Sequence, residues 1–282
     1  MTMEGLSVPR TIAFLNKKGG VGKTSTVHHL AGTLARRGLR CLLVDADPQA
    51  SLTQGLLGPE VAEELDPRET IAAIFDESGA IPARSLVRPT AFNGLSLLPG
   101  SEAAEQYNDP NPWESGMRQF VLRDAIAETA DGFDLVLIDC PPHIQLWAWS
   151  ALVAAQGVVV PLQAEDYGAQ GMKAIRRSIA RVRADANASL VLVGYLVTMW
   201  NKALSVHLTY ENYLRQLHGD DVFASVVPLA KDFKEAVTYR QPIVEHKPRS
   251  ASAKAIAALA DEFLARLEAR IPLDTDESRR IA

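Results

Sequence analysis

Closely spaced glycines near the start of the sequence are followed directly by a lysine and two hydroxyl side chains. Residues 18–25 read KGGVGKTS. Glycine has no Cβ and accepts positive φ, so successive backbone N–H groups in such a segment can converge on one polyphosphate. Lys23 would supply a positive charge for the phosphates, and Thr24 would supply a hydroxyl oxygen for Mg²⁺. This order of residue types is typical of a phosphate-binding loop.

The residues on either side of this segment have the order strand, turn and helix that such a loop requires. An apolar run covers residues 11–15, and residues 24–37 carry apolar side chains at helical spacing. The helix would direct the positive end of its dipole at a bound phosphate. A glycine-rich turn without a ligand is the alternative, and the Gly-Lys-Thr ending disfavours it.

Aspartates lie at or just after the ends of two other apolar runs. Asp45 ends the run 41–45, Asp47 follows two residues later, and Asp139 ends the run 135–139. In an open α/β sheet, the carboxyl ends of parallel strands meet at the ligand-binding edge. Carboxylates at that edge can hold Mg²⁺, often through water. Asp47 could instead cap a turn, because Asp-Pro is a favoured turn sequence.

The composition favours one large α/β domain and disfavours several other classes of protein. The chain has 282 residues, 47% of them hydrophobic, and a net charge of −5, which argues against a uniformly basic coat for nucleic acid. Cys41 and Cys140 form no disulfide framework or paired-cysteine metal motif, and we expect both to be buried thiols. The sequence has no apolar run of 18 or more residues and no secretory signal. We therefore expect a cytoplasmic protein without a membrane partner.

Apolar periodicity predicts the remaining strands and helices. Strands are predicted over residues 95–98, 157–163 and 190–197, and helices over residues 51–57, 69–75, 114–130, 168–183 and 251–271. The predicted fold is α/β, with a mostly parallel sheet and helices on both faces. Helix 168–183 is unusually basic, and a solvated surface is the more common role of such charge. Its basic residues are Lys173, Arg176, Arg177, Arg181 and Arg183.

The three polar segments together resemble the sites of the ParA/MinD/NifH ATPases, which carry a deviant Walker A loop. Within this superfamily the chain is most similar to ParA-type partition ATPases. The specific matches are residues 16–25, 45–49 and 134–142. The resemblance implies a P-loop NTPase-like fold. It also implies three parts of the chain: an N-terminal extension (1–10), a single ATPase domain (11–271) and a polar C-terminal tail (272–282).

The resemblance also implies a role for each residue of the site. Lys18 would reach across an ATP-dependent homodimer to the phosphates of the other protomer, and Lys23 would bind those of its own. Asp47 would position and polarise the attacking water, which makes Lys18, Lys23 and Asp47 the catalytic candidates. Three groups would hold Mg²⁺, namely Thr24, Asp45 and Asp139. ATP would be bound by Lys18, Gly19, Gly20, Val21, Gly22, Lys23, Thr24 and Ser25.

The family's adenine contacts and its DNA-binding arginines are the features in which this sequence departs from the family. After Pro228, relatives carry an asparagine and arginines, whereas this chain has Leu229, Ala230 and Asp232. Residues 199–254 contain eight Lys or Arg against six Asp or Glu, which favours weak and salt-sensitive binding to DNA of any sequence. The candidate DNA-binding residues are Lys202, Lys231, Lys234, Arg240, Lys247 and Arg249.

The function implied by the resemblance is a weak ATPase, stimulated by a ParB-like partner, that drives plasmid or chromosome partition on the nucleoid. A MinD-like or other cargo-positioning switch is one alternative, but membrane binding would require a basic amphipathic tail, and residues 273–282 are short and polar. A NifH-like reductase would require cysteines across a dimer axis, which suits neither Cys41 nor Cys140. A non-catalytic ATP-gated scaffold would have the same fold and would lack partner-stimulated phosphate release.

Overall fold

The computed structural model describes residues 9–76, 81–129, 131–164 and 168–272. Most of the predicted extension, 1–10, and of the predicted tail, 272–282, lies outside these residues. The described residues form one seven-stranded sheet. Its strands are β1 (Arg10–Phe14), β2 (Cys41–Asp45), β3 (Arg88–Pro89), β4 (Leu95–Leu98), β5 (Leu135–Asp139), β6 (Gly157–Gln163) and β7 (Val191–Thr198).

The sheet brings the carboxyl ends of its central strands together. The strands lie in the order β3-β4-β2-β5-β1-β6-β7, and every neighbouring pair is parallel except β3 with β4. β5 lies between β2 and β1, and its last residue, Asp139, is in register with both Asp45 and Phe14. All three strands are buried along their whole length. The predicted parallel α/β sheet is confirmed.

Eleven α-helices are found in the described ranges, and none of them is long and apolar enough to span a membrane. They are α1 (Lys23–Arg36), α2 (Ser51–Leu57), α3 (Pro59–Glu64), α4 (Ala83–Leu86), α5 (Val121–Thr129), α6 (Leu146–Ala154), α7 (Gly168–Asp185), α8 (Ser205–His218), α9 (Lys231–Thr238), α10 (Ile243–His246) and α11 (Ala251–Arg270).

The helices cover both faces of the sheet and create two hydrophobic cores. Helices α1, α2, α9, α10 and α11 pack on the face that includes Phe14. Helices α5, α6, α7 and α8 pack on the face that includes Val44, together with the fully buried rings of Trp147 and Trp149. Each large apolar side chain buried in this way contributes about 1.5–3 kcal/mol. Two cores of this size fix the central strands, and the strands fix the aspartates at their ends.

Two predicted helices differ from the structure. In place of one helix over 114–130, 3-10 turns form at Pro112–Glu114 and Gly116–Phe120, and α5 begins only at Val121. Gly116 has a φ of +56°, a left-handed conformation that interrupts an α-helix. The helix predicted over 69–75 is a 3-10 turn, Ile71–Phe75. Residue 130 lies outside the described ranges.

Two adjacent histidines of α1 are buried and tie this helix to its neighbours. The rings of His28 and His29 meet edge to face, with centroids 4.9 Å apart. His29 Nδ1 accepts a hydrogen bond of 3.1 Å from the Ile243 N–H, and the His29 ring lies 5.0 Å from that of Phe233. Burial lowers the pKa of His28 to about 4, and burial together with the neighbouring His28 lowers the pKa of His29 well below its usual range. The pair is therefore neutral at physiological pH.

The low pKa of His28 predicts a pH-dependent contribution to stability. Between the unfolded pKa of about 6.5 and the folded pKa, the unfolded state binds more protons, so acidification destabilises the fold. We expect the stability difference between wild type and His28→Asn to change by about 1 kcal/mol between pH 7.0 and pH 5.5, to the disadvantage of wild type. Urea unfolding of both proteins at the two pH values measures this. An equal difference at both would contradict a neutral, buried His28.

Candidate nucleotide-binding site

The glycine-rich segment forms a tight turn between β1 and α1. Gly20 and Gly22 have φ values of +72° and +81°, which only glycine adopts readily. Gly22 is the residue that precedes the first turn of α1. Gly19 does not adopt a positive φ, and a Cβ placed on it would meet no atom within 4 Å. The positive φ predicted for the glycines of this loop is thus found in two of the three.

Lys23 and Thr24 begin α1 and direct their side chains into the site. The side chain of Lys23 is only 6% exposed, and its Nζ donates a long hydrogen bond of 3.4 Å to the Lys18 carbonyl across the loop. A buried ammonium group is stable only with strong acceptors or a negative charge close by. Thr24 Oγ1 donates a 2.6 Å hydrogen bond to Asp139 Oδ2. The loop therefore faces β5 directly.

Asp45 and Asp139 form a buried pair of carboxylates at the ends of β2 and β5. Both side chains are completely buried, and the Oδ1 atom of each has no hydrogen-bond partner among the described residues. Burial raises the pKa of both carboxyls, and the repulsion between the two raises that of Asp139 further. Two unsatisfied carboxylate oxygens beside a threonine hydroxyl are hard oxygen donors of the kind that Mg²⁺ prefers. The predicted metal ligands Thr24, Asp45 and Asp139 therefore fit this ion.

The other oxygen of Asp45 is fixed by α2 and by the turn after β4. Asp45 Oδ2 accepts hydrogen bonds from the Thr53 N–H (2.8 Å) and from Thr53 Oγ1 (2.7 Å). The same Thr53 hydroxyl accepts a 2.8 Å hydrogen bond from the Gly100 N–H. A Cβ on Gly100 would lie 2.8 Å from the Asp45 carboxyl carbon, so only glycine allows this approach. Sequence reasoning missed Thr53 and Gly100, because their roles depend on contacts distant in the chain.

Asp47 and Lys18 lie on the more open side of the site. Asp47 Oδ1 accepts a 3.0 Å hydrogen bond from the Gln49 N–H, which is the turn-capping geometry considered as the alternative. Asp47 also lies close enough to raise the pKa of Asp45 and Asp139 by charge repulsion. Lys18 Nζ donates a 3.1 Å hydrogen bond to Gln163 Oε1 at the end of β6. Their predicted roles in water positioning and in a dimer remain predictions.

An apolar cavity of about 310 Å³ opens beside the glycine-rich loop. Its lining residues come from the loop, from α1, from the end of β7 and the residue after it, from residues 227–230 and from α9. They are Gly22, Ser25, Thr26, Thr198, Met199, Val227, Pro228, Leu229, Ala230, Phe233, Lys234 and Val237. A largely apolar cavity next to the predicted phosphate-binding loop has the character of a site for a flat aromatic base. No local signal in the sequence joins these scattered residues.

The predicted DNA-binding residues are only partly available for phosphate contacts. Lys247 Nζ forms ion pairs of 2.8 Å with Asp232 and 2.5 Å with Glu235, and it lowers the pKa of both carboxyls. Lys231 lies 3.7 Å from the same Glu235. The Arg240 guanidinium packs over Gly58, whose added Cβ would lie 2.5 Å from Arg240 Cζ. The remaining candidates are exposed and have no ion pair in the described part of the chain; they are Lys202, Lys234 and Arg249.

Comparisons with known proteins show the family to which this chain belongs. A family model described as an AAA domain matches residues 9–192. The chromosome-partitioning ATPase Soj of Thermus thermophilus is 37% identical over 264 residues, which cover 92% of this chain and 97% of that protein. The chromosome partitioning protein ParA of Caulobacter vibrioides is 33% identical, with coverage of 91% and 94%. The chain belongs to the ParA/Soj family of partition ATPases.

Solved structures share the fold of this ParA/Soj-type chain. Cobyrinic acid a,c-diamide synthase of Mycobacterium smegmatis, solved with ADP and magnesium, is 28% identical with a TM-score of 0.76, and 95% of this chain and 99% of that chain are covered. The cell division ATPase MinD of Pyrococcus furiosus is 24% identical with a TM-score of 0.70, and the coverage is 91% and 98%. The resemblance and the P-loop NTPase-like fold predicted from three short segments are both confirmed.

The contacts of Thr53 predict a clear effect of mutation on stability. Thr53→Val removes the hydroxyl that joins Asp45 to the Gly100 N–H and leaves that buried N–H without an acceptor. We expect the free energy of unfolding to fall by about 1–3 kcal/mol, whereas Thr53→Ser, which keeps the hydroxyl, should lose less. Urea unfolding without nucleotide measures both. Equal stability of Thr53→Val and wild type would show that this network does not hold Asp45.

Proposed function

We propose that this chain binds Mg-ATP and hydrolyses it slowly, as the nucleotide switch of a DNA partition system. The observation that carries the proposal is the buried pair Asp45 and Asp139, each with an unpartnered oxygen, next to the hydroxyl of Thr24. Such a pair is electrostatically unfavourable without a cation, and the adjacent loop is built to bind phosphate. Membership of the ParA/Soj family supports ATP as the nucleotide.

Hydrolysis would be achieved mainly by positioning and by electrostatic stabilisation. The backbone N–H groups of residues 19–24 and the Lys23 ammonium would bind the β- and γ-phosphates and stabilise the charge that develops on them. When bound, Mg²⁺ would neutralise phosphate charge. Asp47 would accept a hydrogen bond from the attacking water and hold it in line with the bond that breaks. Thr24, Asp45 and Asp139 would hold the metal shell in place.

The adenine base would lie in the apolar cavity beside the loop. Met199 and Phe233 offer sulfur and aromatic surfaces against which a base can stack. Leu229 and Ala230, where relatives carry polar residues, make this part of the cavity apolar. Affinity for the base would therefore come mainly from burial and less from hydrogen bonds to side chains.

The switch itself would be an ATP-dependent homodimer. Lys18 is exposed on the loop, with its Nζ 3.1 Å from Gln163 Oε1, and from there it would reach the phosphates of a second protomer. The dimer would bind DNA of any sequence and localise to the nucleoid of the cytoplasm. Asp47 Oδ1 accepts a hydrogen bond from the Gln49 N–H in the structure. A ParB-like partner would accelerate hydrolysis by moving Asp47 to the position in which it orients the attacking water. Hydrolysis and release of ADP would then separate the protomers and release them from the DNA. This cycle would allow the cargo, a plasmid or a chromosome, to move.

Asp47 provides the most direct test of this mechanism. Asp47→Ala should bind ATP with an affinity within about threefold of wild type, because the phosphate-binding groups are intact. Its hydrolysis rate should fall by about 10²–10⁴-fold, the usual effect of losing a group that handles the reacting water. Phosphate release and fluorescent-nucleotide binding measure the two quantities. Glu114→Ala, which removes an exposed carboxylate far along the chain, is the control for net charge.

Undiminished hydrolysis by Asp47→Ala would remove this residue from the mechanism. Loss of ATP binding in the same variant would instead make Asp47 a structural residue of the loop. Absence of phosphate release from wild type with DNA and a ParB-like partner would favour the non-catalytic scaffold. ATP-dependent sedimentation with anionic liposomes would favour a MinD-like membrane switch.

A further inference from the structure

The outer face of α7 is the most basic surface of a single element in the described structure. The helix carries five Lys or Arg and one acidic residue, Asp185, within a chain whose net charge is −5. All five basic residues are exposed. They are Lys173, Arg176, Arg177, Arg181 and Arg183. The local net charge is thus +4, whereas the remaining 264 residues together carry −9.

Three of these cations are not neutralised by the protein. Arg176 forms a 3.4 Å ion pair with Asp221, and Arg181 pairs with Asp185. Arg181 also lies over the ring of Trp113, 3.6 Å from its centroid. Within the ranges that the structure describes, the other three cations form no ion pair, hydrogen bond or ring contact through their charged groups; they are Lys173, Arg177 and Arg183. They are free to bind an external anion.

The chemistry of the rest of this face favours phosphate over a protein partner. Between the cations, the exposed residues are Ala180 and Ala184, and no large apolar side chain of α7 is exposed. Protein interfaces bury aromatic and large aliphatic side chains at their centres. A phosphate backbone requires only cations, and arginine binds phosphate through two parallel N–H groups. The face therefore lacks the exposed large apolar side chains that an acidic protein partner would need for stable docking.

The spacing of the cations also suits a duplex. Lys173 and Arg183 are ten residues apart, which corresponds to about 15 Å along a helix axis. A DNA duplex presents about one charge per 1.7 Å, or about nine phosphates over that length. Several phosphates are thus within reach without a specific base sequence.

This face and five of the six predicted DNA-binding residues, those from Lys231 to Arg249, lie on different sides of the sheet. Ile175 and Val182 of α7 pack in the core with α5 and α6. Phe233 of α9 and Ile243 of α10 pack in the other core. One flat contact from a single protomer cannot cover both, and the α9–α10 side has its cation Lys247 held by two carboxylates. The two surfaces are therefore competing candidates.

We propose that the outer face of α7 is the main DNA-binding surface of this protein, with Lys173, Arg177 and Arg183 contacting the phosphates of double-stranded DNA. The inference rests on the proposed function, which supplies DNA as the partner. It assigns the contact to residues different from those expected from the family resemblance. Binding through these cations would be independent of sequence and strongly dependent on salt.

The test compares two triple variants that remove the same charge from the two surfaces. One carries Lys173→Gln, Arg177→Gln and Arg183→Gln, and the other carries three changes at exposed residues on the opposite side: Lys231→Gln, Arg240→Gln and Arg249→Gln. Fluorescence anisotropy would measure binding of the full chain, with Mg²⁺ and a non-hydrolysable ATP analogue, to a random-sequence duplex at 50–200 mM KCl. Circular dichroism and the thermal midpoint verify that both variants are folded. If the α7 triple variant is not folded, the single variant Arg177→Glu replaces it in the comparison.

We expect the α7 variant to bind at least tenfold more weakly than wild type, and its slope of log K against log salt to be smaller by about 2.7, or 0.9 for each lost phosphate contact. The matched variant should change less than threefold. Equal binding by wild type and the α7 variant, or equal losses in both variants, would overturn the assignment to α7. If wild type itself does not bind DNA, the DNA partner of the proposed function is wrong, and this inference is overturned with it.

Discussion

The candidate site is organised around two carboxylates placed side by side in the interior of the protein. Asp45 and Asp139 occupy directly paired positions on β2 and β5, and both are completely buried. Burial and mutual repulsion raise the pKa of both groups, so the pair opposes folding unless a cation or a proton compensates it. Such a pair in the buried centre of the sheet is explained if it binds a cation together with phosphate. The neighbouring Thr24 and Lys23 supply the hydroxyl and the positive charge that such a complex requires.

The carboxylate pair is connected to the segments that surround it. Asp45 is held by Thr53 on α2, the helix that directly follows the Asp47 turn. Ala50, between Asp47 and Thr53, has a φ of +50°, and Met199, in the cavity wall, has a φ of +51°. Backbone strain of this kind costs about 1–3 kcal/mol for each residue and is concentrated at functional sites. A ligand that moves Asp45 would also move α2, through the two hydrogen bonds from Thr53 to Asp45, and with α2 the Asp47 turn before it. Nucleotide binding could change the conformation of this turn in this way.

The parts of the site that the sequence predicted are local, and the parts that it missed are not. Asp45 and Asp139 each end an apolar run, Lys23 follows another through the glycine-rich loop, and parallel strands bring these positions together. The apolar cavity joins Gly22 to Val237 over more than two hundred residues of chain, and no short pattern reports such a contact. The ion pairs of Lys247 have the same origin, since Asp232 and Glu235 come from a different helix. The apolar periodicity predicted one helix over 114–130, but the left-handed backbone at Gly116 interrupts it, and the α-helix begins only at Val121.

We propose that the Asp45–Asp139 pair, with Thr24, holds a divalent cation when nucleotide is bound. Electron paramagnetic resonance of Mn²⁺, a spectroscopic substitute for Mg²⁺, tests it directly. With ATP analogue present, wild type should bind one Mn²⁺ per protomer, and Asp139→Asn should bind it at least tenfold more weakly while remaining folded. Identical Mn²⁺ affinity in wild type and Asp139→Asn would contradict the account.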